Sequence, residues 1–125
     1  MIDHVSIAVR DLEGCGRFYE AVLATLGYTR LATRPATIGF GKKYPEFWLN
    51  ERRKMTPVDT DSGVHICLRA RSADVVQAFH AAAIKVGGAS DGEPGPRSGQ
   101  MKGYYAAFIR DPEGNRIEAA TFTAD

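Results

Sequence analysis

Ile2-Asp3-His4-Val5-Ser6-Ile7-Ala8-Val9-Arg10 and Gly63-Val64-His65-Ile66-Cys67-Leu68-Arg69-Ala70-Arg71 are two copies of one pattern, 61 residues apart. In the first copy Val5, Ile7 and Val9 alternate with His4, Ser6 and Ala8. In the second, Val64, Ile66 and Leu68 alternate with His65 and Cys67. Period two sends successive side chains to opposite faces, so each stretch reads as a strand with one apolar face. His4 and His65 both fall on the other face. The alignment continues without a gap: Phe18 falls on Phe79, Ala21 on Ala82, Leu23 on Ile84 and Gly27 on Gly88. A repeat of this length is a supersecondary unit, and two units can bury each other's apolar faces.

Outward from the strands, Asp11 reads as a helix N-cap. Leu12, Cys15, Phe18, Tyr19, Val22, Leu23 and Leu26 follow at helical spacing, and Gly27 stops the run. In the second copy Ser72 is the cap, Val75, Val76, Phe79, Ala82, Ala83 and Val86 form the stripe, and Gly87-Gly88 ends it. His80 reads as a helix-surface residue. Strand-like segments follow at about 29–33, 36–41 and 46–50, then at about 103–110 and 115–122, with a short one near 88–91. Asp111-Pro112-Glu113-Gly114 is a type I turn, with Pro preset at its second position. Residues 51–62 are polar and read as a connector, and Arg52-Arg53-Lys54 within them as a solvated run. Residues 87–103 are rich in Gly, Pro and Ser, a long connection of the kind that forms lids and site walls.

The size, 125 residues, is that of one ordinary domain, large enough to bury a core without disulfides. A net charge of +1 gives no reason to expect nucleic acid or an acidic membrane. No apolar run could span a bilayer, and the chain opens directly on strand-like sequence, so the expected location is the cytoplasm. Cys15 and Cys67 read as reduced thiols.

Three segments carry a recognisable pattern: Ile2-Asp3-His4-Val5, Gly63-Val64-His65-Ile66 and Asp111-Pro112-Glu113-Gly114-Asn115-Arg116-Ile117-Glu118. With the repeat, the chain resembles the vicinal oxygen chelate superfamily. That superfamily includes glyoxalase I, bleomycin-resistance proteins, fosfomycin-resistance thiol transferases and extradiol dioxygenases. The resemblance implies an α+β fold of two βαβββ modules, residues 1–50 and 63–125. Their mixed sheets would curl into a cup with flanking helices. It also implies a divalent metal (Fe, Mn, Ni or Zn) held by His4, His65 and Glu118. Two imidazoles and one carboxylate suit such an ion and leave positions for two vicinal substrate oxygens. The pattern departs from glyoxalase I at the last strand of the first module, Glu46-Phe47-Trp48-Leu49-Asn50. There Trp48, or a neighbour, stands where a fourth ligand would be, and Glu46 would need a register shift to replace it. The three-donor set looks more like the fosfomycin transferases and extradiol dioxygenases. No cluster of basic side chains fit to hold a phosphonate is apparent, and Gly99-Gln100-Met101-Lys102 supplies no loop histidine.

Two function classes follow. In the first, the protein is a metalloenzyme doing lyase or isomerase chemistry on a small α-oxygenated substrate, or extradiol-type oxygen chemistry. Glu118 and Tyr105 would be its catalytic groups. In the second, it is a metal-free sequestering protein of the bleomycin-resistance kind. Trp48, Tyr104, Tyr105 and Phe108 are the candidate substrate-binding residues in either case. Strand parity does not choose between Tyr104 and Tyr105 as the hydroxyl near the metal. Cys67 shares the face of His65 and reads as a packed residue rather than a ligand. Arg97 and Lys102 could meet an anionic group. Open sheet edges and the resemblance together imply a homodimer.

Overall fold

The computed structural model describes residues 1–99 and 101–122. The chain runs β1 (Val5–Val9), α1 (Leu12–Ala24), β2 (Thr29–Thr33), β3 (Thr37–Gly41), β4 (Pro45–Glu51), then β5 (Ile66–Arg69), α2 (Ala73–Lys85), β6 (Ala89–Pro96), β7 (Tyr104–Arg110) and β8 (Arg116–Phe122). Two four-stranded mixed sheets result, ordered β1-β4-β3-β2 and β5-β8-β7-β6, and they do not close into a barrel. This is the α+β architecture of two βαβββ modules. The opening strand of each module pairs in parallel with the last strand, and the remaining pairings are antiparallel.

Both helices start at the expected caps. Asp11 accepts from Gly14 N and Ser72 from Val75 N, satisfying amide donors that the first helical turn leaves free. Both stop at glycines in the left-handed region, Gly27 (φ +85°) and Gly87 (φ +104°). Leu12, Cys15, Phe18, Tyr19, Val22 and Leu23 bury one face of α1 against Ile38, Phe40, Phe47 and Leu49. In the second module Val76, Phe79 and Ala83 pack on Ala107, Ile109, Ile117 and Ala119. The two helices also touch each other, so both modules share one core. Each sheet thus has one face under its helix and one open face.

The sequence reading misplaces two features. Residues 89–96 are a full strand rather than a short one followed by loop. Gly and Pro hide it: β6 lies at the sheet edge, where Pro94 and Pro96 can lack an N–H without breaking an inner ladder. Two register shifts, around Gly92, absorb the irregularity. His80 is not on the surface. It is buried, and its Nε2 lies 2.8 Å from Ser90 Oγ, because β6 covers that flank of α2.

The turn at 111–114 joins the modules. Tyr19, on α1, donates its hydroxyl to Asp111 Oδ2 at 2.6 Å. Asp111 Oδ1 accepts from Glu113 N and Asn115 N, each at 2.9 Å, and Asn115 Nδ2 reaches both Asp111 Oδ2 and Ala8 O. Arg10 bonds Glu113 Oε1 at 2.7 Å. Burial pushes the Asp111 carboxyl up from its ordinary value, while the hydrogen bonds from Tyr19 and Asn115 pull it back.

Candidate functional site

Glu118 is the centre of the open face of the second sheet. It lies in β8 with 2% of its surface exposed, directly across from Cys67 in β5 and Phe108 in β7. Burying a carboxylate demands compensation, and the neighbours supply it. His65 Nε2 lies 3.0 Å from Glu118 Oε1. The Tyr104 hydroxyl donates to Glu118 Oε2, and Cys67 faces the carboxylate from the paired strand. Burial, then the bond to Glu118, pushes the Tyr104 hydroxyl up to about 12. Burial, then the Glu118 charge, pushes the Cys67 thiol up to about 12. Both therefore remain protonated near neutral pH, and the tyrosine hydroxyl is the donor to the carboxylate. His65 itself stands half exposed, edge-on to Phe108 with ring centres 6.0 Å apart. Tyr104 stacks on Phe122 at 5.0 Å.

The two tyrosines of Gly103-Tyr104-Tyr105 separate cleanly. Tyr104 lies opposite Phe122 on the open face, whereas Tyr105 lies on the helix side, where its hydroxyl accepts from Gln77 Nε2 of α2 at 2.9 Å. Neighbours in a strand face opposite ways, so Tyr105 is turned away from Glu118, and the hydroxyl that meets the carboxylate is that of Tyr104.

The first sheet repeats the geometry with different chemistry. The partner of Ser6 across the ladder is Trp48, and the partner of the repeat-equivalent Cys67 is Glu118. Trp48 therefore occupies the position of Glu118, and no register shift brings Glu46 there. The indole lies over Gly39, where an added Cβ would meet it at 2.9 Å, and under the Arg34 guanidinium at 5.1 Å. His4 stands beside it. Its Nδ1 bonds Asp3 at 2.8 Å, and Asp3 in turn accepts from the Tyr44 hydroxyl. That leaves the His4 Nε2 outward. Asp3, His4, Ser6, Arg34, Thr37, Tyr44, Pro45 and Trp48 line a recess of about 520 Å³.

The structure brings His65, Glu118, Tyr104, Cys67 and Phe108 together on one sheet, and His4 with Trp48 on the other. Among the described residues no three His, Cys, Asp or Glu side chains gather as a metal-holding group. One chain thus presents two donors of the expected three, side by side.

Of the arginines on the open faces, the sequence reading singled out Arg97 alone, as a contact for an anionic group, and missed Arg34 and Arg69. Arg34 lies over Trp48, Arg69 over Phe122 at 5.2 Å and Arg97 over Phe108 at 5.1 Å. They are scattered along the chain, so no basic run announces them. For Arg69 the available signal was parity: it shares a strand face with His65 and Cys67.

Comparison with known proteins agrees with this architecture. A family model described as a glyoxalase-like domain matches residues 4–120. A glyoxalase/bleomycin resistance protein from Albidiferax ferrireducens T118 is 34% identical, with TM-score 0.86, over 97% of this chain and 98% of that one. The fosfomycin resistance protein FosX from Mesorhizobium loti is 20% identical, with TM-score 0.71, over 98% of this chain and 92% of that one. Lactoylglutathione lyase from Agrobacterium tumefaciens is 18% identical, with TM-score 0.68, over 97% and 92%. The last two share the fold at identities too low to speak to activity. A comparison with curated proteins returns no match. The repeat, the paired βαβββ modules and the match over nearly the whole length make this chain a member of the glyoxalase-like family, within the vicinal oxygen chelate superfamily.

Proposed function

We propose that the protein is a cytoplasmic homodimeric metalloenzyme acting on a small substrate that chelates a divalent ion through two oxygens. The observation that supports this most is the His65–Glu118 pair, a half-exposed imidazole 3.0 Å from a buried carboxylate on an open sheet face. Two donors do not make a site, and His4 lies on the other sheet. A second copy is therefore part of the proposal: His4 of the partner subunit completes the set with His65 and Glu118. The sheet edges favour such a partner. β1 and β5 are both edge strands, their apolar residues Val5, Ile7, Ile66 and Leu68 are only half buried, and Ile2 and Val64 beside them are exposed.

Bound there, the ion would polarise a substrate carbonyl and stabilise an enolate-type oxyanion. The chain's own residues have separate duties. Asp3 fixes the ring of His4 and leaves Nε2 free, as carboxylates do behind ligating imidazoles. Tyr104 holds Glu118 in place and offers a hydroxyl beside it. Phe108 and Trp48 supply apolar walls for the substrate. Lyase or isomerase chemistry fits this set best.

A second reading is a metal-free binding protein. The stacked Trp48–Arg34 pair over its own recess of about 520 Å³ favours it, because that recess needs no ion to hold a planar ligand.

Metal analysis of protein purified without chelator separates the two. The expected result is close to one ion per chain, lost in His4→Ala and in Glu118→Ala while both remain folded. Metal-free protein, or undiminished metal in either variant, overturns the metalloenzyme reading.

A further inference from the structure

Two sets of arginines differ in how their charge is met. Arg10, Arg17, Arg30, Arg53, Arg110 and Arg116 each pair with a carboxylate. Arg34, Arg69 and Arg97 instead lie over aromatic rings on the open faces, and no carboxylate pairs with them among the described residues. Arg97 is the most firmly held. Its backbone N donates to Tyr104 O at 2.8 Å, and its Nη2 donates to Glu93 O at 2.7 Å and to Ala106 O at 3.0 Å. Its guanidinium carbon lies 5.1 Å from the centre of the Phe108 ring, and Phe108 in turn lies over Gly92, where a Cβ would sit 2.9 Å from the ring and 3.4 Å from Arg97 Nη2. The Glu93 segment is itself anchored to α2, since Ser90 Oγ contacts both Glu93 Oε2 and the buried His80.

Two carbonyl oxygens engage Nη2 without cancelling the guanidinium's charge. Nε is buried without a partner, and Nη2 is engaged, so Nη1 is the group left to meet a ligand. Pro96, Arg97, Ser98, Tyr104 and Phe108 line a recess of about 490 Å³, within the size range of small-molecule sites. A fixed, uncompensated cation above an aromatic ring in such a recess is built for an anion carrying a planar or apolar group.

We propose that this recess is the anion subsite of the open face, with Arg97 taking the carboxylate of a small aromatic or branched organic acid. It names the substrate class for the same face as the function proposed above, and rests on that face being a ligand site. It does not require the metal. One positive charge matches a monoanion, and His65 and Glu118 border the same ring, Phe108, that lies under Arg97.

The test uses mandelate and its neutral analogue mandelamide, titrated calorimetrically into full-length protein at low salt, once after chelator treatment and once with zinc. Mandelate is expected to bind at least tenfold more tightly than mandelamide in both forms. Arg97→Gln removes the preference, and Arg97→Lys, which keeps the charge without the planar fork, retains part of it. Equal affinity for the two compounds, no binding of either, or a preference that survives Arg97→Gln overturns the proposal. If Arg97→Gln does not fold, amide-shift mapping of mandelate on the wild-type protein decides: changes centred on Tyr104 and Phe108 support the site, and changes elsewhere overturn it. Metal content is measured separately. Protein that carries no metal when purified without chelator, yet prefers mandelate, refutes the metalloenzyme reading while this inference stands, and bound metal without selectivity does the reverse.

Discussion

Mixing two inactive variants should rebuild a working site. His4 lies on the first sheet and His65 with Glu118 on the second, so a three-donor site completed by a second copy has one donor from one subunit and two from the other. His4→Ala alone then spoils every site of its homodimer, and so does Glu118→Ala. A twofold dimer has two equivalent sites. In the mixed dimer, one site combines the mutated His4 with the mutated Glu118, and the other combines intact His4 with intact His65 and Glu118. Random reassortment of equal amounts gives about one half mixed dimers, each with one intact site of two, so about one quarter of all sites recover. Loss of an outer-sphere partner already costs roughly 10–100-fold in metal affinity, so loss of a ligand should cost at least about that. The contrast between restored and ruined sites is then easily read. The assay is metal per chain by elemental analysis, before and after exchange through mild denaturant, with native mass spectrometry to count mixed dimers. Mixed dimers that form but carry no more metal than the separate variants would refute the shared site.

Three further outcomes are expected. Tyr19→Phe removes a donor from a buried carboxylate without opening a cavity. The cost should be about 2 kcal/mol, as for hydrogen bonds to charged groups, or roughly 8 °C in Tm for a chain of this length, measured by urea and thermal unfolding. Exposed Tyr44→Phe should change stability by less than about 0.5 kcal/mol. The sign with pH follows from Asp111. Burial already raises its carboxyl in the folded state, and losing the Tyr19 hydroxyl raises it further. That cost is present where the carboxyl must ionise and vanishes where it is protonated, so the gap between variant and wild type should narrow as pH falls through the carboxylate range. Cys67 should resist alkylation although its residue is exposed, because its thiol lies near 12 against an ordinary 9.0. At pH 8 iodoacetamide should react at least about a hundredfold more slowly than with a free thiol, and ordinary reactivity would contradict the Cys67–Glu118 contact. Metal affinity should fall steeply below the ordinary histidine range of about 6–7, approaching a hundredfold per pH unit for two imidazole ligands. A flat profile between pH 5 and 8 would favour the metal-free binding reading.

Much of the fold is legible in local sequence because its determinants are local. Alternation in residues 5–9 and 64–68 sets which strand face is apolar. Asp11 and Ser72 begin the helices, Gly27 and Gly87 end them, and Asp111-Pro112 makes the turn. Each of these acts through the backbone within a few residues of itself. Aligning the last strands of the two modules also put Trp48, or a neighbour, in the slot of Glu118, and the two strand registers select Trp48. Other features depend on neighbours that sequence does not order. β6 looked like a loop because Gly and Pro are judged by propensity, and only its place at a sheet edge permits them. His80 looked exposed until β6 lay across it. Tyr104 and Tyr105 were indistinguishable because a one-residue change of register exchanges the two faces, and pairing with β8 alone settles it. The arginines over Trp48, Phe122 and Phe108 are far from those rings in the chain, so their stacking exists only once the sheets form. Sequence alone thus determined the two modules and the residue types on each open face. Tertiary structure decided which of those residues meet, because strand pairing and sheet edges join positions that no local signal connects.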